Sequence, residues 1–388
     1  MKQKTTFKNT AIGEIPEGWN ALQLGKMAEL VKEVYRPNKQ DNLPHVGLEH
    51  IDQQSLTLNL IGNSSDIGSN KFYFKAGDVL FGKLRPYFRK VYRPKFDGVC
   101  STDIWVIRAK DEIDQGFLFY FLANRDFVDL ASRGSSGTRM PRADWDYLKN
   151  TEWFLPSFDS QRAIAKILSD LDEKIELNRQ MNKTLEAIAQ AIFKQWFVDF
   201  ESTGSFDWQA DELGKHIEFI KGKKPSQVSE TQFVGYRPQI LIDNLNGNPS
   251  LYANENGMIV VRIDEPIMVM DGASSGRVEI GHNGVLGSTL AKVIVTSDRI
   301  SNLFLYYFLK TKESGINQNT TGTSIPHADK ERIKKYQCNL PPKKLLETFN
   351  NIAAGFLNKI ITNKKEIKIL VQIRDSLLPR LMSGKIRV

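Results

Sequence analysis

The sequence of 388 residues is poor in the residues that staple small folds or hold metal ions. It contains two cysteines, Cys100 and Cys338, which are far apart and form no CxxC pair. Such thiols are typical of buried cysteines in a reducing compartment. The five histidines are scattered without metal-ligand spacing, so we predict no metal site. This pattern excludes a disulfide-built fold and a zinc module with closely spaced ligands.

The chain also lacks a long hydrophobic run. Its opening segment, MKQKTTFKNT, has no signal-peptide apolar core, and no stretch approaches the length of a transmembrane helix. Hydrophobic residues make up 41% of the sequence and charged residues 25%, which is typical of soluble globular proteins. We therefore expect a cytoplasmic protein of two or three domains that does not contact a membrane.

The sequence signatures of common active sites are missing as well. There is no GxxxxGK[ST] phosphate loop, no GxGxxG after a strand, no GxSxG elbow and no HExxH pair. The segment Asn339–Pro342 contains two prolines but does not match the Asn/Asp-Pro-Pro-aromatic signature of amino methyltransferases. We predict that the chain has no catalytic residue and binds no cofactor.

What the sequence does contain is a long internal repeat. The segment Gly137–Asp144, GTRMPRAD, reappears as Gly322–Asp329, GTSIPHAD, and the same shift carries Leu155-Pro156 onto Leu340-Pro341. A duplication of this length predicts two copies of one structural unit. Such a chain suits a target that is itself double, and duplex DNA with two half-sites is the leading candidate.

Each half of the chain is predicted to be a mixed globular region followed by a helix. Short runs of β-branched and aromatic residues indicate strands without strict alternation with helices, so we predict an α+β fold. The predicted boundaries are globular domains at 1–156 and 208–342, long helices at 157–200 and 343–388, and a linker at 201–207.

Both predicted long helices carry a heptad pattern of apolar residues, which is typical of a coiled coil. Two ordinary amphipathic helices packed on their own domains are the alternative. Approximate two-fold symmetry requires an antiparallel pair of about 60 Å. The favoured register places Asn182 opposite Asn363, because a one-heptad shift leaves a buried amide without a partner. It also places Leu171 opposite Arg374, whose charge we expect to reach outward to solvent.

Basic residues are in excess, with a net charge of +8 and a pI of about 9.2, which favours an anionic partner. Arginine and lysine can neutralise phosphates, and arginine can bind guanine with two hydrogen bonds. For any single residue a solvated charged surface is an equal alternative, so the prediction rests on clusters. The candidate DNA-contacting residues are Lys83, Arg85, Arg89, Arg93, Thr138, Arg139, Arg142, Lys221, Lys223, Lys224, Ser274, Arg277, Thr323 and His327.

Several segments resemble a known family. They are Ile12–Trp19 with Leu24-Gly25, the segment Gly77–Pro86, and Leu155-Pro156 leading through Gln161-Arg162 into the long helix. Together they resemble the specificity (S) subunit of Type I restriction–modification enzymes, over nearly the whole chain. The second half departs from this pattern, with Glu265–Met270 in place of the Asp78–Phe81 region.

The resemblance implies two target recognition domains, each reading one half of a bipartite double-stranded DNA site across an unread spacer. The long helices would form an antiparallel coiled coil that separates the domains and docks methyltransferase (modification) subunits, which we expect to number two. The family's S subunit is not catalytic. Modification subunits use S-adenosylmethionine, and restriction/translocase subunits use ATP.

Two other functions remain open at this point. The chain could be a DNA methyltransferase or endonuclease polypeptide with an unrecognised active site. It could also be a structural connector that joins two protein partners without touching DNA.

Overall fold

The computed structural model forms two compact units, which consist of residues 1–176 with 367–388 (unit 1) and residues 177–366 (unit 2). The residues that it describes are 7–10, 13–137, 139–199, 208–245, 247, 251–320 and 326–388. The predicted linker 201–207 lies outside them. Each long helix contributes one segment to each unit, whereas the predicted domain boundaries follow the order of the chain.

The described part of unit 1 contains short strands, four short α-helices and one segment of each long helix. Its strands are β1 Phe7–Thr10, β2 Gly13–Pro16, β3 Asn20–Gln23, β4 Ala28–Val31, β5 Val34–Tyr35, β6 Pro44–Val46, β7 Gly62–Asn63, β8 Lys71–Phe74, β9 Val79–Gly82, β10 Val91–Tyr92, β11 Gly98–Cys100, β12 Ile104–Ala109 and β13 Glu152–Leu155. Its helices are α1 Leu24–Met27, α2 Gln115–Ala123, α3 Arg125–Arg133, α4 Trp145–Leu148 and the first part of the long helix α5, Phe158–Phe193.

Unit 2 repeats this arrangement. Its strands are β14 Gln209–Glu212, β15 Ile217–Lys221, β16 Val228–Ser229, β17 Tyr236–Ile240, β18 Tyr252–Asn254, β19 Val260–Val261, β20 Ile267–Val269, β21 Val278–Glu279, β22 Gly284–Leu286, β23 Leu290–Val295 and β24 Gln337–Leu340. Its helices are α6 Asn302–Gln318, α7 Lys330–Lys334, the second part of α5 and most of the long helix α8, Lys343–Met382. The two long helices thus lie close to the ranges predicted for them.

The sheets of the two units have matching topologies. In unit 1 a four-stranded antiparallel sheet has the order β10-β9-β12-β4, and in unit 2 the corresponding order is β21-β20-β23-β15. Each unit also has a five-stranded sheet that contains one parallel pair, β6 with β11 or β17 with β22. The predicted α+β class and the predicted structural repeat are both confirmed.

The long helix α5 is attached to the globular part of unit 1 through Gln161, a buried amide. Its Oε1 accepts a hydrogen bond from the Asp114 backbone N–H at 2.9 Å, and its Nε2 donates to the Pro156 carbonyl at 3.1 Å. The Asp114 carboxylate in turn caps helix α2 by accepting from the Phe117 N–H at 2.8 Å. These bonds fix the start of α5 against α2, whose side chains form much of the core of unit 1.

In unit 2 the two long helices pack against each other in antiparallel directions. Asn363 Nδ2 donates to Asn182 Oδ1 at 2.9 Å, and Asn178 Nδ2 donates to Glu366 Oε2 at 2.8 Å. Asn178 and Asn363 are almost fully buried. The amide contact on which the predicted register depends is therefore present, and that this contact decides the register stays a prediction.

The register changes near the end of α5. The register that places Asn182 opposite Asn363 would also place Trp196 opposite Phe349, but the rings that meet Phe349 are those of Phe193 and Phe197, with centroids 5.6 Å and 5.1 Å away. The chain here leaves α-helical geometry for a π-helical turn over Lys194–Val198. A heptad count assumes regular helix, so it does not anticipate the extra residue of such a turn.

The sequence-based prediction for Arg374 is wrong. Instead of reaching solvent, Arg374 is fully buried within unit 1. Its Nη1 contacts Asp172 Oδ1 at 2.7 Å and donates to the Ser55 carbonyl at 3.3 Å, and its Nη2 donates to Asp375 Oδ1 at 3.0 Å. Burial alone would lower the pKa of this guanidinium, but the two carboxylates outweigh burial and raise the pKa. Arg374 is thus an internal cross-link between the long helices and the loop at Ser55.

Candidate nucleic-acid interface

The turn between β9 and β10 in unit 1 lies beside the loop that follows α3. The Lys83 backbone N–H donates to the Asp103 carbonyl at 3.0 Å, and its own carbonyl accepts from the Ala143 N–H at 2.9 Å. The Arg85 N–H donates to the Pro141 carbonyl at 2.7 Å. Two sequence segments that are more than fifty residues apart are therefore joined backbone to backbone.

This contact brings together four of the predicted residues, Lys83, Arg85, Arg139 and Arg142, which we name the basic loop cluster. Arg139 and Arg142 are exposed, and Lys83 and Arg85 are half-buried. Arg142 Nε and Nη2 donate to the two Asp103 carboxylate oxygens at 3.0 Å and 3.4 Å. This hydrogen bonding raises the pKa of Arg142 and partly neutralises its charge. Lys83, Arg85 and Arg139 have no ion pair among the described residues and are the cluster's sources of positive potential.

Arg85 has an unusual backbone conformation. Its φ of 51° and ψ of 62° lie in the left-handed region, which costs a non-glycine residue on the order of 1–2 kcal/mol. Its Nη2 donates to the Arg139 carbonyl at 3.5 Å, a long hydrogen bond. Its Nε is buried without a hydrogen-bond partner among the described residues. The contacts within the described part of unit 1 thus do little to offset this strain.

Arg89 does not belong to the interface, although the sequence analysis included it. Its φ is also left-handed, at 50°, but its side chain is buried. Its Nε donates to the Ala123 carbonyl at 2.6 Å, its Nη1 donates to the Gln54 carbonyl at 3.3 Å, and Asp375 lies 3.8 Å from Nη1. Burial lowers the pKa of Arg89 to about 10. Arg89 therefore holds the turn to the core and cannot contact DNA from this position.

Arg93 also lies away from the basic loop cluster. Its guanidinium carbon stands 5.7 Å from the centre of the Phe119 ring on α2, at the distance of a cation–π contact. No hydrogen bond or ion pair among the described residues joins Arg93 to Arg85 or Arg139.

Unit 2 builds the same turn with different residues. Val269 N–H donates to the Arg277 carbonyl, as Gly82 N–H does to the Lys90 carbonyl, and both hydrogen bonds measure 2.8 Å. This register makes position 272 the counterpart of Arg85 and position 276 the counterpart of Arg89. Both counterparts are glycines with left-handed φ, 100° at Gly272 and 91° at Gly276. Unit 2 therefore keeps the backbone of the turn without the strain.

A three-residue ionic group stands at this turn in unit 2. Lys221 Nζ lies 2.9 Å from Asp271 Oδ2, and His327 Nδ1 lies 2.7 Å from Asp271 Oδ1. Burial alone would raise the pKa of Asp271, but the hydrogen bonds from Lys221 and His327 outweigh burial and lower it. Lys221 and His327 are half-exposed, so this group is open to a ligand while its charge is largely internal.

The other predicted residues of unit 2 fall into two sets. Lys223 and Lys224 are exposed on the segment that follows β15. Arg277 Nε donates to Glu279 Oε1 at 2.8 Å, and Ser274 accepts a backbone hydrogen bond from Arg277. Burial alone would raise the pKa of Glu279, but the neighbouring His282, Arg277 and Lys310 side chains outweigh burial and lower the pKa to about 2. Arg277 is therefore engaged within unit 2.

Two of the predicted residues, Thr138 and Thr323, lie outside the described residues, and two residues of the candidate site were not predicted. The search for basic clusters did not find the two carboxylates, Asp103 and Asp271, that neutralise part of each cluster. Asp103 immediately precedes strand β12, and Asp271 lies two residues after strand β20.

The described residues contain no group of three or more histidine, cysteine or acidic side chains that could hold a metal ion. No helix among these residues has the length and apolar composition needed to cross a membrane. Cys100 and Cys338 are both free and buried, and burial raises the pKa of their thiols to about 12 and about 11.

Comparisons with known proteins agree on one family. The sequence profile of the Type I restriction modification DNA specificity domain matches the chain twice, over residues 16–187 and 206–373. The specificity subunit of the Type I restriction enzyme MjaIX from Methanocaldococcus jannaschii is 23% identical, and the match covers 100% of this chain and 98% of that protein. The specificity subunit of the Type I restriction enzyme HindI from Haemophilus influenzae is 24% identical, with coverages of 95% and 99%.

A solved structure shows the same fold. The S subunit of a Type I restriction–modification system from M. genitalium matches with a TM-score of 0.61, at 18% sequence identity. The match covers 98% of each chain.

Proposed function

This chain belongs to the family of Type I restriction–modification DNA specificity domains, and from that premise we propose that it reads a bipartite DNA site for a Type I restriction–modification complex. Each of its two specificity domains would bind one half-site. The observation that carries this proposal is that both units place charged side chains at the equivalent turn of their four-stranded sheet. These are the basic loop cluster in unit 1 and the ionic group around Asp271 in unit 2.

The two clusters favour duplex DNA over a protein partner in a way that charge alone does not. In unit 1, the basic loop cluster combines arginines and a lysine on connected loops, and these side chains suit both phosphate and base contacts. In unit 2, the side chains at the same turn are different. Two units with a shared backbone and different contact residues suit two half-sites with different sequences.

In this proposal the chain selects the site, and partner subunits carry out the chemistry. Methyltransferase subunits, which we expect to number two, would transfer the methyl group of S-adenosylmethionine, and restriction/translocase subunits would use ATP. The chain itself would bind no cofactor, and the complex would act in the cytoplasm, where the DNA is. The proposal is supported by the relatives, which are named as specificity subunits of restriction enzymes.

Mapping of methylated adenines in the source genome tests this function. We expect a bipartite methylated motif that disappears when this chain is deleted and returns when it is restored. Exchange of residues 1–156 for the matching part of a relative should change one half of the motif only. Persistence of every methylated motif after deletion would contradict the proposal, and methyl transfer by the isolated chain would favour the alternative of an enzyme.

A further inference from the structure

We propose that Arg85 is a base-reading residue of unit 1 and that it recognises a guanine in one half-site. This inference rests on the function proposed above and adds the residue and the base. Arginine can donate two parallel hydrogen bonds to the O6 and N7 atoms of guanine in the major groove. The argument depends on why Arg85 keeps a strained backbone.

The comparison with Arg89 shows what normally offsets such strain. Both arginines have left-handed φ values, near 50°, and both correspond to glycines in unit 2. Arg89 forms hydrogen bonds to two carbonyl groups in the interior of unit 1, and these contacts account for an arginine at that position. Arg85 has one hydrogen bond of 3.5 Å and a buried Nε without a partner among the described residues. Contacts within unit 1 therefore explain why an arginine keeps the left-handed backbone at position 89, but they do not explain the arginine at position 85.

The surroundings of Arg85 restrict the direction of its side chain, although they offer it little hydrogen bonding. Its backbone N–H is fixed to the Pro141 carbonyl at 2.7 Å, its Nε is enclosed, and one Nη donates to the Arg139 carbonyl. A phosphate can be bound by a mobile cation, whereas two hydrogen bonds to a base edge require a fixed direction. A guanidinium that is held by its inner end fits the second task better.

The neighbouring charges support this assignment. Arg142 is paired with Asp103, so its guanidinium is already occupied. Arg139 is exposed beside Arg85, where it can bind the DNA backbone. At the equivalent turn of unit 2, Gly272 offers no side chain at all. The inference therefore assigns the guanine contact to unit 1 and none to the matching position of unit 2.

Selection from a pool of duplexes with fully randomised sequence tests this inference. The full-length chain, in the complex in which it is purified, selects a consensus site, first as wild type and then as Arg85→Gly. Glycine accepts the backbone of this turn, as Gly272 does, so the variant should fold normally, and its thermal midpoint checks this. We expect one G·C position in one half of the consensus to lose its preference by about ten- to a hundredfold, while the other half is unchanged.

Two further variants complete the test. Arg85→Lys keeps the charge but not the planar fork, so it should also lose the guanine preference while overall affinity is largely kept. Arg36→Ala, at an exposed arginine outside the cluster, should leave the consensus and the affinity unchanged.

The other outcomes are distinguishable. If Arg85→Gly weakens binding equally for all sequences and lowers the salt dependence by about one unit, Arg85 binds phosphate and the inference is wrong. An unaltered consensus and affinity would also overturn it. If the wild-type complex selects no consensus, the proposed function itself fails.

Discussion

Replacement of Arg374 by methionine should destabilise unit 1 strongly. The side chain is fully buried and contacts the carboxylates of Asp172 and Asp375 at 2.7 Å and 3.0 Å. Removal of one member of a buried ion pair costs about 3–5 kcal/mol, because the remaining charge loses its partner. The two acidic side chains are 25% and 35% exposed, so they can regain part of their hydration. We therefore expect a loss near the lower limit, about 3 kcal/mol.

Native-state hydrogen exchange of helix Gln115–Ala123 measures this loss, because this helix belongs to the same core cluster as the end of α8. Arg380→Met is the matched control, since Arg380 is exposed on the same helix, and it should change the free energy by less than about 0.5 kcal/mol. Combining Arg374→Met with Asp172→Asn should be less costly than the sum of both single changes. A loss below about 1 kcal/mol for Arg374→Met would refute the reasoning.

Three other predictions concern single groups. Asn363→Leu should lower the free energy of unfolding by about 1–3 kcal/mol, because the Asn182 amide loses its partner. In a double-mutant cycle, adding Asn182→Leu should restore part of that loss, and additive effects would contradict the pairing. The folded-state pKa of Glu279, about 2, lies below its ordinary 4.5, so this carboxylate stabilises unit 2 above pH 4.5 and the stabilisation is lost as the pH falls toward 2. Urea unfolding of Glu279→Gln should show a weaker acid dependence, and an unchanged profile would exclude this role. Cys100 and Cys338 should resist a thiol reagent at about pH 8 until the protein is unfolded, and modification of the folded chain would contradict their burial.

The repeat and the heptad pattern are visible in the sequence because they depend on periodicity alone. They predicted the two related units, the two long helices and the contact between Asn182 and Asn363. The partners of buried charges cannot be predicted from periodicity, because most of them come from distant segments. Arg374 was predicted to reach solvent, because the register places the apolar Leu171 opposite it. Its contacts come instead from Asp172 on the other helix, from the Ser55 carbonyl and from the adjacent Asp375.

The candidate site, too, could be predicted from the sequence only in part. The clustering of basic residues around Arg85 was readable from the sequence, and the structure joins that segment to the loop at Arg139. The exclusion of Arg89 was not readable, because its burial depends on two backbone carbonyls that are fixed only by the fold. The left-handed backbone of the turn became informative only when the two units could be compared position by position.

The discontinuous make-up of unit 1 affects how the protein must be made. Its core contains Leu378, Leu381 and Met382, whereas unit 2 is one continuous stretch of residues 177–366. During translation, residues 1–176 therefore leave the ribosome early, but their core stays incomplete until unit 2 and then residues 367–388 have been synthesised. Unit 2 can close first, although its codons come later. A premature stop codon just after residue 366 would accordingly leave unit 2 complete and remove part of the core of unit 1, although most of unit 1 is translated first.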